Sequence, residues 1–251
     1  MPTQLSETAF PVDQDGGSAC PDLALLRQAA VFRDLDDRLL TRISAVSTVV
    51  ILGENAPICS QGEPADRFYL LISGQVALSN TAPNGTSAVV EVIPPGGHFM
   101  LPTVLARLPL LMNANTVAES RLIAIDATAL LNLLQTESAL ATALLRAEAM
   151  DFRAMVRQVC DLKLRTTAQR LGCYLLELSK DRAVNTASMR LPFDKRLLAA
   201  RLGCRQENLS RAFAALRSLG VETHGSRVIL HDIARLRDYS EPDDFTDVEC
   251  A

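Results

Sequence analysis

Leu202-Gly-Cys-Arg-Gln-Glu-Asn-Leu-Ser-Arg211 is the stretch on which the reading of this chain turns. Upstream of it Leu197, Leu198, Ala200 and Leu202 recur at helical spacing, downstream Leu209, Phe213 and Leu216 do the same, and Gly203 stands between the two runs. Glycine accepts the positive φ that a tight turn between helices needs, so the pattern predicts helix, turn, helix. The first helix is expected to open at Leu191-Pro-Phe-Asp194, with Asp194 as its cap, and the second near Arg205 or Gln206. With Leu209, Phe213 and Leu216 turned inward, Gln206, Glu207, Ser210 and Arg211 project outward at the N-terminal end, where a recognition helix meets base edges. The residue types suit that task. Arginine donates two bonds to guanine, glutamate accepts from the amino group of cytosine, and serine contacts either kind of edge. Val221 to His231 reads as a two-stranded wing turning at His224-Gly225, which brings His224 and Arg227 toward phosphate.

Charge supports this placement. The chain carries −4 over its 251 residues, yet residues 161–240 sum to +7 while residues 21–160 sum to −3 and both ends are acidic. A basic segment in an acidic chain is expected where one domain meets a polyanion and the rest avoids it. A merely solvated basic face is the competing account of the charge alone.

Between Ser47 and about Asp126 the texture is different. Short apolar runs (Val49–Leu52, Phe68–Ile72, Val76–Leu78, Val89–Ile93, Leu122–Ile125) alternate with turn signals at Gly53-Glu-Asn55, Gln61-Gly-Glu-Pro64, Ser73-Gly74, Pro83-Asn-Gly85 and Pro94-Pro-Gly-Gly97. Such spacing predicts a small antiparallel barrel or jelly roll, preceded by a short helical stretch from Pro21 to Val46. Asn84-Gly85 is expected to form a type I′ hairpin turn.

From Ala127 the period becomes helical. Leu145, Glu148, Phe152, Met155, Val159 and Leu162 fall at alternating three- and four-residue spacing, the seam of a two-stranded coiled coil with one polar interruption at Glu148. Leu144, Ala147, Met150 and Ala154 form a second stripe. One stripe is expected to pack on the barrel and the other on a symmetry mate, the alternative being a helix sunk in its own core.

Composition excludes several classes. No apolar run approaches the length of a bilayer span, and Met1 to Cys20 lacks the pattern of a signal peptide, so a soluble, cytoplasmic protein with no membrane partner is expected. Six cysteines without a CxxC pair predict reduced thiols. No HExxH, G-x-S-x-G or phosphate loop is present, so no catalytic residues and no metal site are expected, and the chain does not read as an enzyme.

Taken together these stretches resemble the CRP/FNR family of bacterial transcription regulators. In the barrel, Pro57-Ile-Cys-Ser-Gln-Gly-Glu-Pro-Ala-Asp-Arg-Phe-Tyr-Leu-Leu-Ile-Ser-Gly-Gln-Val-Ala77 resembles the family's strand and glycine-turn signature. In the reader, Glu207, Ser210 and Arg211 fall on the E-x-x-S-R pattern of the FNR branch, and the wing His224-Gly225 is also similar. The resemblance covers about residues 22–238 and implies an α+β architecture. A disordered tail (1–20) would precede a β-roll sensor of the cyclic-nucleotide-binding type (21–135), a dimerisation helix (136–164), a winged helix-turn-helix DNA-binding domain (165–240) and an acidic tail (241–251). It further implies a homodimer on double-stranded DNA, at a palindromic operator resembling TTGAT-N4-ATCAA, with RNA polymerase as a partner. Glu207, Ser210 and Arg211 would read bases, beside Arg205, Gln206, His224 and Arg227.

The effector is where the chain departs from its relatives. Cyclic-AMP-binding members carry Gly-Glu and, about ten residues on, Arg-Ser or Arg-Thr; Gly97 to Thr116 has no such Glu, and Met112 and Asn113 stand where Arg is expected. A buried phosphate without a cation is costly, so cyclic nucleotide binding is not expected. Arg107 and Arg121 have the wrong spacing. Only Cys20 lies in the N-terminal region where cluster-binding relatives hold several cysteines, so an iron–sulfur cluster is not expected either. The haem-binding branch leaves an alternative, a carbon monoxide or nitric oxide sensor with His98 and one of Met100, Met112 or Cys59 as axial ligands in an apolar pocket at Leu101–Met112. A second alternative is a redox or small-molecule module whose helix-turn-helix does not read DNA. Cys204 beside the recognition helix is either a redox-sensitive thiol or a small buried turn residue.

Overall fold

The computed structural model describes residues 19–85, 87–179, 185–191 and 195–242. The tail at 1–18, residues 180–184, the Asp194 cap and nearly all of the acidic tail lie outside the described residues. Two short helices, α1 (Leu23–Leu26) and α2 (Asp37–Ser44), flank a 3-10 turn at Ala30–Phe32. Asp22 and Asp36 cap them by accepting from the amides of Leu25 and Leu39 at 2.6 and 2.7 Å.

The roll follows: β1 (Ser47–Leu52), β2 (Pro57–Cys59), β3 (Arg67–Ser73), β4 (Val76–Thr81), β5 (Ser87–Ile93), β6 (His98–Phe99), α3 (Leu101–Ala106), β7 (Asn113–Thr116) and β8 (Ser120–Asp126). The strands form two four-stranded antiparallel sheets, ordered β1-β8-β3-β6 and β2-β7-β4-β5. The continuous apolar run Phe68–Ile72 follows from β3 being covered on both faces. Phe68, Leu70 and Ile72 join Ile123 and Ile125 in a core beneath the helices, whereas Tyr69 and Leu71 join Leu122 and Ala124 between the sheets. The hairpin at 82–86 departs from the expected type I′ turn. Gly85 takes φ +82 but Asn84 does not adopt positive φ, and Thr81 pairs with Ser87 across a longer loop. Three short strands (β2, β6, β7) and α3 carry too few residues for a legible period.

Helix α4 (Ala127–Thr136), capped by Asp126, ends at Glu137, whose extended backbone breaks the helical run before α5 (Ser138–Leu164). Arg38 and Arg42 of α2 pair with the Glu137 carboxylate and fix this corner. Along α5, Leu140 and Leu144 are buried in the roll's helical core, but Met150 and Ala154, expected to continue that stripe, are exposed.

The C-terminal unit comprises α6 (Thr167–Ser179), β9 (Ala187–Arg190), α7 (Lys195–Arg201), α8 (Gln206–Arg217), β10 (Val221–His224), β11 (Arg227–Leu230) and α9 (Ile233–Ser240). Its core gathers Leu171, Leu175, Leu198, Leu209, Phe213, Leu216, Val228 and Leu236. Ala199, rather than the expected Ala200, completes the buried face of α7. The wing is three-stranded rather than two-stranded, in the order β10-β11-β9, because Ala187 and Met189 supply an apolar edge that pairs with β11. Its turn is Gly225-Ser226, one residue later than expected. No described helix is long and apolar enough to cross a membrane.

Two glycines of similar φ separate strain from space. Gly74 (φ +88) would place a Cβ 2.3 Å from the Glu119 carbonyl oxygen, whereas Gly85 (φ +82) faces nothing within 4 Å. Gly85→Ala is therefore expected to destabilise by about 1–2 kcal/mol, the left-handed cost alone. Gly74→Ala should add roughly 1–3 kcal/mol more, because backbone must move. Urea unfolding of the two variants measures the difference, and equal midpoints would contradict it.

Candidate DNA interface and sensor interior

Helix α8 is held from below and open above. Leu209, Ala212, Phe213 and Leu216 are buried against α6 and the sheet, while Gln206, Glu207, Asn208, Ser210 and Arg211 are exposed on its first turns. Gly203 (φ +61) makes the turn from α7 in the expected way, and its amide bonds the Ala200 carbonyl at 2.9 Å. A Cβ there would sit 2.5 Å from Leu162, so the turn also packs against the end of α5. Arg205 precedes the helix, is exposed, and makes no side-chain cap. The site thus brings together Arg205, Gln206, Glu207, Ser210 and Arg211 along one open edge.

The wing residues are engaged within the chain. Arg227 Nε donates to Ser188 Oγ at 2.9 Å, and His224 Nε2 lies 2.8 Å from Glu222, which also meets His231 at 2.8 Å. The two imidazoles hold the Glu222 carboxyl below its ordinary range, His231 most strongly. Ser188, Glu222 and His231 were not singled out in the sequence, since their roles arise only from cross-strand pairing. Cys204 packs partly buried against the reader core, and burial raises its thiol pKa against the lowering effect of Arg170. A protonated, packed thiol fits the turn-residue reading better than a reactive one.

In the roll, alternation along β6 separates residues expected to share a haem iron. Phe99 stacks on Tyr69 between the sheets, centroids 5.0 Å apart, in the cluster containing Cys59, Met100 and, at its edge, Met112. His98 points the other way, edge-on to Phe68 at 5.7 Å, toward α5. His98 therefore cannot pair with those sulfur atoms across one iron, and the residues do not fit an axial pair. Burial pushes the Cys59 thiol up to about 12, as expected of an inert core cysteine. Leu101–Met112 also departs from the expected pocket lining: Leu101 and Val104 of α3 fill the helical core, and Leu108 and Leu111 face solvent.

His98 has two carboxylate neighbours. Asp151 Oδ2 lies 3.2 Å and Glu148 Oε1 3.8 Å from Nε2. Burial disfavours the charged imidazole, but Asp151 and Glu148 together outweigh it and raise the pKa to about 9. Glu148 was expected on the exposed helical seam; the structure turns it inward instead, because its position follows Leu140 and Leu144 around the helix. The other seam residues, Leu145, Phe152, Met155, Val159 and Leu162, are all exposed, Leu145 at 72% and Phe152 at 64%.

At the position where cyclic-AMP-binding relatives place arginine, Asn113 is committed internally. Its Oδ1 accepts from the Gln61 amide at 2.9 Å and its Nδ2 reaches Ser79 and Thr81 of β4. Arg107 and Arg121 are exposed and do not enter the roll.

Comparison with known proteins agrees with this architecture. Residues 49–137 match the cyclic nucleotide-binding domain and residues 169–239 the Crp-like helix-turn-helix domain. A crystal structure from Ruegeria pomeroyi of a protein described as cyclic nucleotide binding is 30% identical, with TM-score 0.59, covering 88% of this chain and 97% of that one. A CRP-like cAMP-activated global transcriptional regulator of Mycobacterium tuberculosis is 24% identical over 84% of this chain and 96% of its own length. The fold is shared with FixK2 of Bradyrhizobium japonicum (TM-score 0.66, 23% identity, 77% of this chain and 96% of that one). With a sensor roll, a long helix and a winged helix-turn-helix in this order, and relatives matching along most of its length, the chain belongs to the CRP/FNR family of transcription regulators.

Proposed function

We propose that the chain is a homodimeric, sequence-specific DNA-binding regulator that reads an inverted-repeat operator resembling TTGAT-N4-ATCAA through α8. The observation that carries this reading is the exposed row Gln206, Glu207, Ser210 and Arg211 on a helix whose opposite face is locked in the core. Within it Arg211 donates to guanine, Glu207 accepts from cytosine and Ser210 contacts a neighbouring edge, while Arg205, His224 and Arg227 position the domain on phosphate. Dimerisation is supported by the apolar heptad residues of α5, which stay exposed among the described residues, from 72% at Leu145 to 45% at Val159 and Leu162, and would be covered by a second copy. Two readers so joined meet successive major grooves about 34 Å apart.

The two arginines separate base reading from phosphate contact. Arg211→Ala is expected to cost about 1–3 kcal/mol and relax preference at one guanine. Arg227→Ala should weaken every duplex alike and lower the salt slope by about one. Fluorescence anisotropy against the operator and single-base variants, at two salt concentrations, distinguishes them. Equal losses on all sequences for both variants would remove the assignment of α8 as reader.

The sensor is read as one that does not take a cyclic nucleotide. The support is the internal commitment of Asn113 and the outward position of Arg107 and Arg121, which leave a buried phosphate without a facing cation from those positions. Adding cyclic AMP is expected to change operator affinity less than about twofold, under the 1.4 kcal/mol that a tenfold change represents. A tenfold or larger gain would overturn this reading and leave the DNA-reading proposal intact.

A further inference from the structure

We propose that His98, Glu148 and Asp151 form a binding site for a divalent metal ion of the zinc class, joining the sensor roll to the long helix. The three residues come from two elements. His98 is on β6, immediately after the Gly96-Gly97 turn, and Glu148 and Asp151 are three residues apart on one face of α5. One donor atom from each lies within 4.8 Å of the other two. Neighbouring ligand atoms of a tetrahedral zinc ion stand about 3.3 Å apart, given bonds of about 2.0–2.2 Å. The observed 3.2 and 3.8 Å from Nε2 bracket that value.

Ion pairing of His98 with Asp151 and Glu148 already brings the three groups together. His98 Nε2 and Glu148 Oε1 are both buried, and their pairing is one of charge without a well-directed hydrogen bond. A ring nitrogen can direct a proton along one line only, and ligands of a shared ion lie to either side of that line. A divalent ion in place of the imidazole proton would meet both carboxylates at once. The chemistry of the set is also selective. One imidazole and two carboxylates favour zinc, manganese or cobalt over calcium, which takes six to eight oxygen ligands. The Phe68 ring packs edge-on with the imidazole, and the half-exposed Asp151 carboxylate puts one side of the cluster in reach of solvent. Burial raises the Glu91 carboxyl of β5 against the lowering effect of Arg201, with smaller effects of Asp151 and His98, and α7 packs on β5, so the cluster lies near the contact between sensor and reader.

The site is tested on the full-length chain, stripped of metal and kept reduced, by titration with Co2+ followed by visible absorption, with Zn2+ as competitor. The expected result is one Co2+ per chain with a spectrum of nitrogen and oxygen ligands, lacking the thiolate charge-transfer band, and displacement by Zn2+. H98Q, E148Q and D151N should each weaken binding at least about a hundredfold, beyond the 10–100-fold that outer partners cost. Because Asp151 is half-exposed, D151N tests the site even if H98Q folds poorly; circular dichroism identifies that case. The double variant H224Q/H231Q, which removes the wing imidazoles, should bind as the parent does. Binding unchanged in D151N and E148Q, loss confined to the wing variant, a thiolate band, or no uptake at all would each overturn the proposal, the last leaving an ion pair only.

Discussion

A helix of 27 residues whose buried apolar residues, among the described residues, lie along its first turns sets the constraint on which the rest depends. Leu140 and Leu144 bind α5 to the roll, but on one stripe Leu145, Phe152 and Met155 are mostly exposed and Val159 and Leu162 partly so. Five large apolar side chains in a row are unfavourable on a monomer, by about 1.5–3 kcal/mol for each that could be fully buried. In the proposed dimer a second copy covers that surface and, through the same helix, sets where the two reading domains stand. Leu162 touching the Gly203 turn shows how close the end of the seam comes to the reader.

Much of this was legible in the sequence because the signals are local. The run Phe68–Ile72 bounded by Gly62 and Gly74, and the Gly203 turn between two apolar periods, record burial and backbone conformation directly. The outward face of α8 followed from the inward one. What the sequence obscured depends on partners far away in the chain. Strand β9 is visible only when β11 is there to pair with it, and β6 is two residues long. The Asn84-Gly85 signal pointed to the right place and the wrong turn, because loop length across the hairpin decided the geometry.

The candidate sites divide in the same way. Arg211 and its neighbours lie where their spacing put them. Glu148 does not, since a heptad pattern fits it to the seam while the buried His98 draws its carboxylate inward. In the sequence His98 reads as a partner for sulfur, but the alternation of β6 sends it to the opposite side from Phe99 and the methionines. No linear motif encodes a histidine on a two-residue strand facing two carboxylates on a helix some fifty residues later.

The claim at the centre is that two recognition helices are held at a fixed distance by the α5 seam. It is tested most directly by measuring affinity for duplexes whose inverted half-sites are moved apart by about five base pairs, half a helical turn. The account predicts that affinity falls toward the nonspecific level, since the second helix is carried to the wrong side of the duplex. Affinity that stays at the operator value after that insertion would contradict it.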